Sequence, residues 1–133
     1  MIGCIACILF SFPADNLILV KENKTWFDAV DYCREKHLDL VSVHSAAEQE
    51  QVRQRAKMAD TPHVWLGMHY SCALEFWYWL SDQGSCYHNW APGNGTGACG
   101  MAAAVERGGN QSWVSLHDDG IFNFICEMKM CSK

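Results

Sequence analysis

Eight cysteines in a chain of 133 residues constrain this sequence more than any other feature. Half of the residues are hydrophobic, which suffices for one core, and the length is too short for two ordinary domains. Cysteine at this density in a small chain points to covalent cross-links made in an oxidising compartment. Three Asn-x-Ser/Thr sequons, at Asn23, Asn94 and Asn110, point the same way, because such sites are glycosylated during secretion. The expected location is therefore extracellular, as a secreted protein or as the ectodomain of a receptor. The formal net charge is -5, and the ten Lys and Arg are scattered rather than gathered in a stripe. A phosphate backbone would find little to pair with, so nucleic acid is not an expected partner.

The first segment, "MIGCIACILFSFPA", carries no charge before Asp15 and falls short of the roughly 20 apolar residues of a spanning helix. It has the apolar core of a signal peptide. It lacks a positive leading region, however, and Phe12 stands where a small residue is wanted ahead of a cleavage after Ala14. Residues 1–16 thus read either as a signal-peptide remnant or as the end of a fragment, and residues 17–133 as one domain.

Periodicity divides that domain into two textures. The apolar run "LILV" at 17–20 suits a strand. "KENKTWFDAVDYCREKH" follows as a helix with Thr25 as N-cap and Asp28 three residues on, and Trp26, Ala29, Val30 and Cys33 recur on one face. After the strand-like "LDLVSVH", Ser45 and Glu48 form a capping box for a second helix. That helix is polar almost all round, and it is expected to pack through Ala47, Val52 and Ala56 as a surface element with no binding role. From Val64 onward, short aromatic and β-branched runs are broken by Gly, Asn, Asp and Pro: "VWLGM", "FWYWLS", "CYHNW", "SWVSL" and "FNFICEM". Two helices followed by antiparallel sheet make an α+β domain.

No arrangement of residues suggests catalysis. Cys4 and Cys7 form a C-x-x-C, but within an apolar terminal stretch rather than at a strand-to-helix turn. The six histidines show neither H-E-x-x-H nor zinc-finger spacing. Asp118 and Asp119 are adjacent, so on a strand they point to opposite faces, and a solvated turn suits them better than joint acid–base work. No G-x-S-x-G occurs, and Gly93, Gly95 and Gly97 fit neither a P-loop nor a dinucleotide fingerprint. The chain is read as no enzyme.

Taken in order, "TWFDAVDYCREKHLDLVSV", "VWLGM", "FWYWLSD", "NWAPGNG", "SWVSL" and "FNFICE" resemble the C-type lectin-like domain over essentially all of residues 17–127. In detail the chain is similar to one repeat of the tandem, mannose-receptor-like members, which would place further such repeats in the same chain. The resemblance implies a double-looped fold, two helices packed on antiparallel sheets with a long loop region, in which a disulfide ties the first helix to the last strand. Cys33 and Cys126 hold those two places. Closing a loop of ~100 residues is worth about 4–5 kcal/mol in the loop-entropy model.

The family's second bridge would join Cys99 to the position held here by Asp118, so it cannot form in the usual way. Cys72 and Cys86 flank "ALEFWYWLSDQGS" and are spaced to cross-link the ends of a hairpin. That pairing is the expectation, with Cys131, Cys4 and Cys7 left as partners for Cys99. A rival pairing of Cys86 with Cys99 would leave Cys72 free, and connectivity stays open at this point.

Sugar-binding members of the family carry Glu-Pro-Asn or Gln-Pro-Asp with a cis proline in the long loop, an acidic residue before the loop's cysteine, and Asn-Asp after the tryptophan. Together these hold a calcium ion and, through it, two sugar hydroxyls. Here the loop reads "WAPGNGTGACG": Pro92 belongs to the "WAPG" block, Gly97-Ala98 precedes Cys99, and Val114-Ser115 follows Trp113. Asn94 alone is left to offer a neutral oxygen, and a glycan on its sequon would cover the surface a sugar would use. A divalent cation wants six to eight oxygens, several of them carboxylate, so no cofactor and no Ca²⁺ are expected in this loop.

The expected function is that of a non-catalytic extracellular recognition module taking a protein or glycan ligand without Ca²⁺, the alternative being a carbohydrate-binding lectin with a non-standard site. Asn94, Trp77, Tyr78 and Tyr87 are the candidate ligand contacts, since aromatic side chains carry much of the energy at interfaces. Strand alternation assigns Trp79 and Trp90 to the core instead.

Overall fold

A computed structural model describes residues 16–81 and 86–128. Strand β1 (Leu17–Lys24) leads into helix α1 (Trp26–Glu35), followed by the short β2 (Leu38–Leu40) and helix α2 (Ala46–Ala56). Strands β3 (His63–Ser71), β4 (Phe76–Trp79), β5 (Met101–Glu106), β6 (Trp113–His117) and β7 (Phe122–Met128) complete the chain. One sheet takes them all, ordered β1-β7-β3-β5-β6, with β2 added to β7 and β4 to β3. The pairings are antiparallel except that of β3 with β7, where Val64 lies opposite Asn123 and Trp65 opposite Phe124. The purely antiparallel sheet expected from the strand texture is thus corrected to a mixed one. Two strands of the same direction become neighbours because β4, the long loop, β5 and β6 intervene between β3 and β7, a connection long enough to bring the chain back in the same sense.

Both helices begin where their caps place them. The Thr25 hydroxyl accepts from the Asp28 N–H at 3.2 Å, and Ser45 does the same for Glu48 at 3.2 Å. Trp26, Ala29, Val30 and Cys33 of α1 are buried as their spacing requires, and the Trp26 indole N–H donates to Leu66 O at 2.8 Å. In α2 the buried residues are Gln49, Val52 and Ala56, whereas Ala47 is exposed. Spacings of three and four residues place Gln49 on the Val52–Ala56 stripe and Ala47 off it. Gln49 is only 4% exposed, and its amide is satisfied on both sides. Its Nε2 donates to Gln111 O, and its Oε1 accepts from the Trp113 indole at 2.8 Å.

The sheet divides the core in two. On one face lie Val41, Val43, Val52, Leu66, Trp79, Val105 and Trp113. On the other, α1 packs Trp26, Ala29, Val30 and Cys33 onto Leu40, Trp65, Ala102, Ala104 and Phe124. Gly67 lets these layers close, since a Cβ there would stand 2.5 Å from the Leu40 carbonyl oxygen. Strand β5 carries no aromatic signal; its Ala102–Ala104 run is buried because flat, small side chains fit under α1 on one side and α2 on the other. "CYHNW" forms no strand, and Trp90 makes only an isolated bridge to Trp113.

Cys33 and Cys126 form a disulfide across a separation of 93 residues. Cys72 pairs with Cys99, which corrects both the expected Cys72–Cys86 bridge and the rival that left Cys72 free. Register explains the outcome. His69 lies opposite Ala102, so three residues onward along β3 and three back from Ala102 bring Cys72 and Cys99 face to face, with Cα atoms 4.9 Å apart. Cys86 is exposed and unpaired among the described residues. Cys4, Cys7 and Cys131, residues 1–15 and residues 82–85 lie outside the described residues.

Beside the Cys33–Cys126 bridge, Glu127 is paired across the ladder with Asp39 and with Leu17. Burial pushes its carboxyl up to about 8, an effect the Ser42 backbone N–H partly opposes and the Asp39 and Glu48 carboxylates reinforce. Because the folded value lies above the ordinary 4.5, the folded chain keeps a proton that the unfolded chain releases. The stability tied to that proton is full below about 4.5 and lost as pH climbs toward 8.

Two outcomes follow. Replacing Cys33 and Cys126 together by serine lowers stability by about 4–5 kcal/mol in denaturant unfolding; a loss under about 1 kcal/mol would show that the bridge constrains little. Glu127→Gln raises the melting temperature relative to wild type by an amount that grows from pH 5 to about 8 and then levels off. A difference constant across that range would contradict the raised carboxyl.

Candidate functional site

The loop between β4 and β5 is held down by a cluster of aromatic rings centred on Trp113, the first residue of β6. Its ring meets Trp79 at 5.4 Å, Trp90 at 5.6 Å and Tyr87 at 5.9 Å between centroids, all edge-on. The backbone on either side of Trp90 is tied to the same residue: Trp113 N–H donates to Asn89 O, and Ala91 N–H donates to Trp113 O, both at 2.8 Å. Trp77 packs on Trp90 with ring centroids 4.8 Å apart and planes tilted by 45°, and its indole N–H donates to Gly95 O at 3.0 Å.

Two glycines in this loop are required by geometry. Gly95 (φ +95°) lies against the Trp90 ring and Gly97 (φ +87°) against the Tyr70 ring, and a Cβ on either would overlap those rings. The flexible composition of "GNGTGACG" therefore builds a fitted loop rather than a loose one.

Asn94 is half-buried, and its side chain is already engaged. Oδ1 accepts the Ser115 N–H at 2.9 Å, and Nδ2 donates to Pro92 O at 3.4 Å. No Asp or Glu occurs between Trp90 and Val105. Among the described residues, no three His, Cys, Asp or Glu side chains converge in a way that would suit a metal ion. The other two sequon asparagines, Asn23 and Asn110, are exposed.

The candidate ligand contacts separate into two places. Trp77 and Tyr87 are partly buried against the core beneath the loop, next to Asn94's segment. Tyr78 faces the opposite way, because alternate residues of β4 point to opposite faces: Trp77 and Trp79 turn toward the loop and core, while Phe76 and Tyr78 turn outward. The strand "FWYW" thus supplies two distinct aromatic faces.

On that second face lies a pair that sequence reasoning missed. His69 Nε2 is 2.8 Å from Asp118 Oδ2, and His69 Nδ1 is 2.9 Å from Tyr70 O. Asp118 and Asp119 form the turn after β6 as expected and Asp119 is solvated, but Asp118 is not: its side chain is 19% exposed, and its backbone accepts from Trp26 N–H while donating to Gly100 O. Asp118 stands where the resemblance implied a cysteine, and His69 meets it from β3. The only sequence signal was the missing cysteine itself.

The Lectin C-type domain family matches residues 22–128. Over 119 residues the chain is 31% identical to lactose-binding lectin l-2 of Anguilla japonica, covering 84% of this chain and 70% of that protein. It is 26% identical over 109 residues to mouse lymphocyte antigen 75, covering 80% of this chain but only 6% of that relative's length. Among solved structures, human lithostathine superposes with a TM-score of 0.77 at 28% identity, covering 85% of this chain and 90% of that one. The two capped helices, the mixed sheet, the α1–β7 disulfide and the Trp113-centred loop are thus features of a relative of these proteins, and this chain belongs to the C-type lectin domain family.

Proposed function

We propose that this domain is a non-catalytic extracellular recognition module whose long loop does not use calcium to take its ligand. The observation that carries the reading is the hydrogen bond from Ser115 N–H to Asn94 Oδ1 at 2.9 Å. The one oxygen the loop offers at the expected place is engaged by the backbone of β6. Calcium, where members of the family bind it, bridges the protein to sugar hydroxyls. Here the donor set does not fit that ion, which needs six to eight oxygen ligands, and neither Val114 nor the Gly97-Ala98 pair supplies a side-chain oxygen.

The extracellular location is supported by the two disulfides and by the exposed sequon residues Asn23 and Asn110. No helix among the described residues is long and apolar enough to cross a membrane. A rigid, cross-linked scaffold presenting loops is a common way to build a binding surface. The small share of lymphocyte antigen 75 that the chain spans suits the role of one repeat in a longer receptor. A second reading, sugar binding at a non-standard site, draws on the likeness to a lactose-binding lectin. Exposed Tyr78 would then stack on a sugar ring.

Two measurements test the loop. On a glycan array, binding is expected to be unchanged between calcium and EDTA; mannose- or galactose-terminated glycans retained only with calcium would overturn the proposal. Asn94→Ala leaves the Ser115 N–H without its acceptor and lowers stability by about 0.5–1.5 kcal/mol, equally with calcium and with EDTA. A decrement present only with calcium would mark Asn94 as a metal ligand.

A further inference from the structure

The outer face of β4 carries an apolar row that no other described residue covers. Phe27 is 54% exposed, Tyr78 38%, Phe76 50% and Leu74 65%. These residues come from two separate elements yet form one surface. The Phe27 ring lies 5.4 Å from the His69 ring, and His69 lies 6.1 Å from Tyr78, its cross-strand partner. Phe76 follows two residues before Tyr78 on the same face of β4, opposite Ser71. Isolated exposed apolar residues are ordinary, but a contiguous aromatic row marks a surface that meets another molecule.

Charge around the row selects what that molecule is. The segments that build it, residues 25–33, 69–79 and 117–120, contain Asp28, Asp31, Glu75, Asp118 and Asp119 and no Lys or Arg. Asp118 is held by His69, and Asp119, 83% exposed at its side chain, lies 3.9 Å from His117 Nδ1, so Asp28, Asp31 and Glu75 are the main carboxylates to meet a partner. Carboxylates placed beside exposed aromatic faces attract a cation twice, through charge and through the ring quadrupole. An acidic partner, an anionic membrane surface or nucleic acid would be repelled. Glu75 adopts φ +61° at the tip of the β3–β4 turn, so the hairpin presents a carboxylate in a left-handed conformation that costs an L residue stability.

We propose that the Phe27–Tyr78–Phe76 face is a docking surface for a protein segment that presents a lysine or arginine between apolar side chains. The aromatic row takes the apolar side chains, and the surrounding carboxylates steer and hold the cation. The Trp77–Trp90–Trp113 cluster lies on the other side of β4, so this surface works independently of the long loop. The inference deepens the recognition role proposed above and rests on it.

The test uses the full domain labelled with ¹⁵N and two pools of acetylated, amidated nonapeptides. In one pool, arginine is fixed at the centre with Leu, Ile, Phe or Trp on either side; in the other, glutamate replaces the arginine. The arginine pool is expected to shift the amide signals of Phe27, His69, Phe76 and Tyr78, and the glutamate pool to leave them in place. Phe76→Ser with Tyr78→Ser weakens arginine-pool binding at least tenfold. Asp28→Asn with Glu75→Asn slows association and flattens its dependence on salt, and the asparagine suits the left-handed position, so this variant stays folded even if the first does not. Equal shifts from both pools, shifts confined to residues 90–100, or concentration-dependent shifts of the domain alone would each overturn the docking surface. A failure of the calcium-free reading of the loop would be seen elsewhere, as calcium-dependent glycan binding on the array.

Discussion

Strand β7 organises this molecule. It pairs with β1, β2 and β3, and Cys126 near its middle is joined to Cys33 on the buried face of α1. The first and last described strands are thereby closed into one sheet, with β1 running beside β7 from Leu17 to Lys24. Ile125, Cys126 and Phe124 are fully buried, so the bridge lies where water cannot relax it. A chain of this size buries a smaller share of its surface than a large domain does, and a cross-link spanning most of its length offsets that deficit.

Trp113 does for the loop what Cys126 does for the scaffold. A ring on β6 that gathers Trp79, Tyr87 and Trp90, and whose indole is held by Gln49 of α2, makes the long loop part of the core rather than an appendage. Asn94 closes the far side of the loop through Ser115. Asn94 and the Trp77 indole are engaged within the described part of the loop, while Phe27, Phe76 and Tyr78 stay exposed on α1 and β4.

The second disulfide and the His69–Asp118 contact hold neighbouring strand ends. His69 pairs with Asp118 across the end of β5, and Cys99 meets Cys72 at the matching position on β3. One link is covalent and the other is a hydrogen bond largely shielded from water. The exposed Glu75 and Phe76 lie just beyond Cys72, so the bridge also steadies the hairpin that carries them.

Local chemistry wrote the helices plainly into the chain. Thr25 and Ser45 fix where they start, the spacing of Trp26, Ala29, Val30 and Cys33 fixes the buried face, and alternation in "FWYW" and the aromatic, β-branched texture of "FNFICEM" mark strands. The absence of carboxylates between Trp90 and Val105 was equally visible, because composition needs no geometry. What the chain could not announce was the outcome of pairings between distant strands. The Ala102–Ala104 run has weak intrinsic preference for a strand and becomes one only between β3 and β6. Without that strand, the Cys72–Cys99 match, the His69–Asp118 contact and the burial of Gln49 had no frame in which to be seen. Propensity and capping act over a few residues and are readable from them, whereas register and side-chain partners depend on which backbone lies alongside, and tertiary packing alone decided that.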